Sequence, residues 1–239
     1  DSIAMRLVDG RADFLADRIV SGPFPALENI AYEQRDGRFV LVSGTPTWEG
    51  QNLAVCQSQV ETWGLSSFLA EAQHDINSKS GPWSHIDFRH CELSEVPSLV
   101  RCDVWVDPAV TSTDQSDCMG IQADGIAENG VIYRLRSWEG ITSPEDALER
   151  AILTAVEIGS KYVGVETDQG GDTWRSVFIR AREKIKREKK ISDDKLPRFQ
   201  SDKAGAGYGS KQERNGRMLS DYERGQVVHV IGTHTALER

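Results

Sequence analysis

The chain has 239 residues, 37 of them acidic and 28 basic, for a formal net charge of −9, and 38% of its residues are hydrophobic. That is material for one large or two small domains with a sizeable core, and it excludes a disordered or fibrous chain. No apolar run approaches the ~18 residues that would span a bilayer, so no membrane partner is expected.

Four widely spaced cysteines (Cys56, Cys91, Cys102, Cys118), with no CxxC pair and no secretory segment, predict reduced thiols in an intracellular protein. The charge is unevenly divided. Residues 173–239 hold 16 Lys/Arg against 9 Asp/Glu, whereas residues 1–172 hold 12 against 28. An acidic half joined to a basic half suits a polyanionic substrate, although basic residues also simply solvate helix faces.

Taken in order, residues 3–20 read as a short helical segment that stops at Gly22-Pro23. Residues 28–43 read as two strands joined at Asp36-Gly37. Ser43 to Thr47 (SGTPT) reads as a loop, and no GxxxxGK[ST] phosphate-binding loop exists anywhere in the chain. Residues 51–74 are expected to be helical, with Leu53, Val60, Trp63, Phe68 and Leu69 buried. His74, His85, His90 and Cys91 match no zinc-ligand spacing and read as satisfied structural residues. Glu92 to Ser98 reads as a connector, and a boundary between residues 101 and 102 is expected.

Beyond it the pattern sharpens. Strand 102–107 is followed by strand 118–126, an Asn129-Gly130 turn and strand 131–138. Helix 143–159 has Ser143 at its N-cap, Pro144 at its first position, an apolar stripe through Leu148, Ile152, Ala155 and Val156, and Gly159 at its end. Strand 162–167 and a basic helix over about 172–190 come next. A loop-rich stretch around one short strand (192–209), a helix over about 210–224 and strand 227–231 complete the chain. This alternation predicts an α/β fold with a mixed sheet and helices on both faces.

Two of these strands end in acids. Val104-Trp105-Val106 delivers Asp107, with Asp117 further along a Ser/Thr/Asp loop. Tyr162 to Val165 delivers Glu166, followed by Asp168 and Asp172. A carboxylate at the end of an apolar strand is costly unless it is paired or metal-bound. Paired acids of this kind are what a divalent-metal nuclease requires, because two cations about 3.5–4 Å apart activate water and stabilise the leaving oxygen. Asp172 also reads as the N-cap of the helix that follows.

Asp107-Pro108-Ala109, VGVETDQGGDTW (Val163 to Trp174), Lys203-Ala204-Gly205 and Lys211…Arg214…Met218-Leu219…Tyr222-Glu223-Arg224-Gly225…Val228-His229 together resemble the C-terminal nuclease of the tailed-phage terminase large subunit. Residues 102–239 carry the match, and residues 1–101 resemble the linker that precedes it. The resemblance implies a ribonuclease-H-like mixed sheet flanked by helices and preceded by a smaller linker region. It implies an endonuclease that cuts concatemeric double-stranded viral DNA with two divalent metal ions (Mg²⁺ or Mn²⁺). Asp107 and Glu166 are the implied metal-binding and catalytic acids, and Asp117 matches an accessory acidic position. Lys203, Lys211, Arg175, Arg180 and Arg214 are candidate DNA contacts. A portal protein and a terminase small subunit are the implied partners, in the host-cell cytoplasm. Two departures stand out: the family's ATPase domain is missing from this chain, and its third acid lies beyond a stretch like GTHTALER, where the chain ends. The chain therefore reads as a fragment with an incomplete site. Two other readings stay open: another ribonuclease-H-like nuclease of resolvase or integrase type, and a non-catalytic assembly module of the packaging motor.

Overall fold

The computed structural model describes residues 6, 10, 11, 13, 22–75, 83, 85–108, 118–167, 171–202 and 211–233, without the side chains of 171, 172 and 211–215. The helical expectation for 3–20 falls almost wholly outside these. The chain forms two compact units, Asp1–Asp87 with Met218–Arg224, and Phe88–Arg217 with Gly225–Arg239. The division falls ahead of the expected 101/102 boundary, and a late helical segment joins the first unit.

In the first unit, β1 (Leu27–Arg35) and β2 (Arg38–Pro46) form an antiparallel hairpin. Its turn residues Asp36 and Gly37 have φ of 50° and 75°, the left-handed pair that a two-residue hairpin turn demands. SGTPT is not simply a loop: β2 runs on to Pro46, at the strand end where a missing N–H is tolerated. The helix expected over 51–74 is two helices, α1 (Leu53–Trp63) and α2 (Leu65–Glu71). Gly64 separates them with φ of 86°, and a Cβ there would lie 2.5 Å from Glu223 Oε2. Val60 and Phe68 are buried as expected, but the turn at Gly64 leaves Trp63 40% exposed.

Glu223, with 2% residue exposure, is a polar anchor of this unit. Its carboxylate accepts from the Ser66 backbone N–H (3.0 Å) and the Ser66 hydroxyl (2.5 Å), at the start of α2, and lies 2.9 Å from His85 Nε2. A carboxylate at a helix N-terminus satisfies otherwise orphaned donors. His85 thus has a structural partner.

The second unit is built on a seven-stranded sheet in the order β3-β9-β6-β5-β4-β7-β8. The strands are β3 (Arg89–Cys91), β4 (Leu99–Asp107), β5 (Met119–Ala127), β6 (Ile132–Gly140), β7 (Tyr162–Glu166), β8 (Arg198–Asp202) and β9 (Val227–Val230). Only β5 runs against the other six. Counting β4, β5, β6, β7 and β8 as one to five, the spatial order is three-two-one-four-five, the ribonuclease-H-like mixed sheet. The β5–β6 turn is the expected one: Gly130 has φ of 80° and Asn129 Oδ1 accepts from the Val131 N–H at 3.1 Å.

Two helices cover the sheet. In α3 (Pro144–Ile158), the Ser143 hydroxyl accepts from the Asp146 N–H (3.1 Å) and Gly159 closes the helix at φ of 73°. In α4 (Gly171–Lys189), Trp174, Val177, Phe178, Ala181 and Ile185 are buried as expected. Both helices pack onto Val104, Val106, Ile121, Ala123, Val163 and Val165. Those residues share one face of the sheet, so α3 and α4 lie together on that face rather than one on each. Of the alternate positions, Gln122 and Ser137 are polar and Gly164 has no side chain, leaving Trp105 as the large apolar residue among them. A further helix, α5 (Lys211–Glu223), precedes β9. None of the described helices is long and apolar enough to cross a membrane.

Candidate active site

The face opposite α3 and α4 carries the site. Strand register aligns one transverse row across five adjacent strands. Glu139 on β6 is level with Gly120 on β5, and Gly120 with Asp107 on β4. Val106 is level with Val165, which puts Asp107 beside Glu166 one step further on. Glu166 in turn is level with Asp202 on β8. Register partners project to the same face, and neighbouring strands lie roughly 4.8 Å apart. Three parallel strand ends therefore present Asp107, Glu166 and Asp202 side by side, with Glu139 across the gap at Gly120.

That gap is real space. Among the described residues, a Cβ on Gly120 would meet only the Asp107 Cβ, at 3.7 Å. Asp107, Glu166 and Glu139 line one cleft of about 620 Å³, closed on the β6 side by Thr233. The Ser137 N–H and hydroxyl donate to the Thr233 carbonyl at 3.3 and 3.1 Å. Asp107 is exposed and Glu166 half-buried. At the far end, the Thr167 N–H donates to the Asp202 carbonyl at 2.8 Å and its hydroxyl at 3.2 Å, pinning the ends of β7 and β8 together.

The second row into the cleft is Ser137, Gln122, Trp105, Gly164 and Gln200. The indole of Trp105 lies across Gly164, where a Cβ would come within 2.5 Å of the ring. Gln122 is held by its amide nitrogen, which donates to Asp124 Oδ1 (2.7 Å) and the Ala123 carbonyl (3.3 Å). Asp124 also takes Arg134 at 2.5 Å.

Of the residues expected from the sequence, Asp107 and Glu166 come together. Asp117, Asp168 and Lys203 fall outside the described residues, as do the side chains of Asp172, Lys211 and Arg214. Arg175 sits in the first turns of α4 with its guanidinium 5.6 Å from the Phe199 ring centre. Arg180 is exposed further along the helix. Other cations of that helix are engaged internally: Arg182 and Lys186 with Asp193 (3.1 and 2.8 Å), and Lys184 with Glu149 (2.5 Å). The helix lies on the face opposite the cleft, so its basic character is partly an internal ion-pair network. Glu139 and Asp202 carry no comparable signal in the sequence. Neither follows a motif, and only the register of β6 and β8 brings them into the row.

All the groups in the row are hard oxygen donors, the chemistry that suits Mg²⁺ or Mn²⁺. Among the described residues, no three Asp, Glu, His or Cys side chains converge closely enough to hold an ion by themselves. The fit is to an ion bound by one or two carboxylates and completed by water and substrate phosphate, the usual manner of Mg²⁺.

No family model and no curated protein sequence matches the chain. Among solved structures, it is similar to the human cytomegalovirus terminase nuclease domain, with a TM-score of 0.44, 14% identity, and coverage of 63% of this chain and 74% of that one. It is also similar to the nuclease domain of the large terminase subunit gp2 of bacterial virus Sf6 (TM-score 0.38, 12% identity, 59% of this chain and 67% of that one). A variant of the Sf6 domain solved with manganese and beta-thujaplicinol gives a TM-score of 0.37 at 12% identity, covering 57% and 66%. These are terminase nuclease domains, the family that the sequence motifs resemble.

Proposed function

We propose that this chain is the nuclease part of a viral DNA-packaging terminase, an endodeoxyribonuclease that cuts double-stranded DNA with divalent metal ions. One observation carries the reading: Asp107 and Glu166 end neighbouring parallel strands at one level and line one cleft. In an apolar strand end, two adjacent carboxylates repel each other and gain nothing structurally, so a bound cation is the economical reason for them.

Asp107, at the centre of the sheet, and Glu166 beside it would hold the ions, with Asp117 as a further acid. Bound there, divalent ions supply Lewis-acid polarisation of a phosphoryl oxygen. The chain's own part is to fix the two carboxylates on rigid strands and to keep a phosphodiester out unless cations neutralise the row, since like charges at this spacing repel. The gap at Gly120 gives the backbone of the substrate room next to Asp107. Arg175, Arg180, Lys203, Lys211 and Arg214 are the proposed phosphate contacts. In this reading the protein works in the host-cell cytoplasm beside an ATPase domain, a portal protein and a terminase small subunit.

The test is plasmid nicking in Mg²⁺, Mn²⁺ and EDTA, with Asp107→Asn as control. Metal-dependent nicking that disappears in the variant supports the reading. Nicking equal in EDTA, or equal in the variant, refutes it, and a strong preference for branched over linear DNA moves the assignment to a resolvase.

A further inference from the structure

The floor of the cleft is aromatic, and phosphodiester hydrolysis by carboxylates and cations has no use for an aromatic floor. Trp105 stands two residues before Asp107 on the same strand, hence on the same face, one row in from the acids. One side of its indole is laid on the Gly164 backbone. The would-be Cβ at that glycine lies 2.5, 2.6 and 2.6 Å from three atoms of the indole six-membered ring, so the ring rests directly over the Cα. Any side chain at position 164 would lift it. Trp105 also lines the cleft, so the ring seated on Gly164 borders the cleft's space.

Beside it, Gln122 is not a free rotor. Asp124 is a carboxylate that only accepts, so the amide nitrogen of Gln122 must be the atom facing it, and the Ala123 carbonyl takes a second N–H. What remains for a ligand is the amide oxygen, an acceptor presented next to an aromatic plate.

A flat platform flanked by an oriented acceptor fits a nucleobase. The deoxyribose and phosphate of a paired strand offer no planar face, and the bases of a duplex are already stacked on one another. On the nuclease reading proposed above, we infer that Trp105 is a substrate-binding residue that stacks an unpaired nucleotide next to the scissile phosphate, with Gln122 accepting from the exocyclic amino group of that base. The site therefore takes a locally opened DNA strand rather than an intact duplex.

Fluorescence anisotropy decides this, with three labelled DNAs in calcium buffer: a mixed-sequence single strand, a fork with unpaired arms, and a blunt duplex of the same length. Because Trp105→Ala removes a plate packed on Gly164 and risks the fold, the informative pair is Trp105→Phe, which keeps an aromatic face, and Trp105→Leu, which keeps apolar bulk without one. Both are checked by circular dichroism. The leucine variant is expected to bind single strand and fork about 10- to 100-fold more weakly. The phenylalanine variant should retain most of the affinity, and blunt-duplex binding should barely change in either. Equal losses on all three DNAs, an unchanged leucine variant, or a wild-type chain that binds the single strand and fork no better than the blunt duplex would overturn the inference. The nuclease reading fails separately: a chain that shows this stacking signature but never nicks plasmid is a strand-binding module.

Discussion

Glu166 and Asp202 stand level as register partners on parallel strands β7 and β8, with Thr167 bonded across to the Asp202 backbone. The relationship extends the acid pair by a third strand end that this chain itself provides. Asp202→Asn is expected to lower Mn²⁺-dependent nicking about 10- to 100-fold, the usual cost of removing a supporting group near a metal. The Thr167 bonds go to the Asp202 main chain and survive the substitution, and circular dichroism checks that the fold does too. A variant with full activity in both metals would place Asp202 outside the site.

Asp107→Asn should abolish metal-dependent cleavage and leave thermal stability equal or higher. The expected sign follows from the row: removing one carboxylate relieves repulsion from its neighbours. Nicking and thermal melting, run on the same preparation, check both halves.

The basic helix gives a discriminating salt experiment. Arg182, Lys184 and Lys186 are paired within the fold, and α4 packs opposite the cleft. Neutralising Arg187, Lys189 and Lys190 together is therefore expected to leave the slope of log affinity against log salt unchanged. Neutralising Arg175, near the acid end of the helix, should make that slope shallower by about 0.9, the share of a single neutralised phosphate. A shallower slope in the triple variant would make the whole helix a DNA-steering surface.

Gly164→Ala tests the seat of the indole. The new methyl would collide with the Trp105 ring, and overpacking of this kind costs about 1–3 kcal/mol. Because the three nearest atoms all belong to that ring, Gly164→Ala in a Trp105→Leu background should cost measurably less, with a coupling energy on the order of 0.5–3 kcal/mol. Urea unfolding of the four proteins in the cycle gives the answer, and strict additivity would mean that the indole does not rest on Gly164.

In the first unit, Glu223→Ala should destabilise by about 1–3 kcal/mol, since it strips the partner from His85 and from the donors at the start of α2. Glu223→Gln keeps the size and one acceptor and should cost less. Chemical denaturation followed at the aromatic signal of Trp83, which packs on Tyr222, measures the difference.

Local structure was legible in the sequence wherever the cause is local. Asp36-Gly37 and Asn129-Gly130 need left-handed backbone and form the expected turns, and Ser143, Pro144 and Gly159 mark the ends of α3 because capping acts within one helical turn. The same holds for the placement of Asp107 and Glu166 at strand ends, since where an apolar strand stops is a statement about a few neighbouring residues. Tertiary structure decided the rest. The break at Gly64 and the exposure of Trp63 reflect where Glu223 lies, and the insertion of β9 between β3 and β6 is a matter of backbone pairing that no side-chain pattern encodes. Glu139 and Asp202 enter the acid row, and Trp105 finds its seat on Gly164, only through the register of strands distant in sequence. Hydrophobic alternation decides which face each residue takes, but which distant strands pair is left to main-chain hydrogen bonds, whose donors and acceptors are the same at every residue except proline.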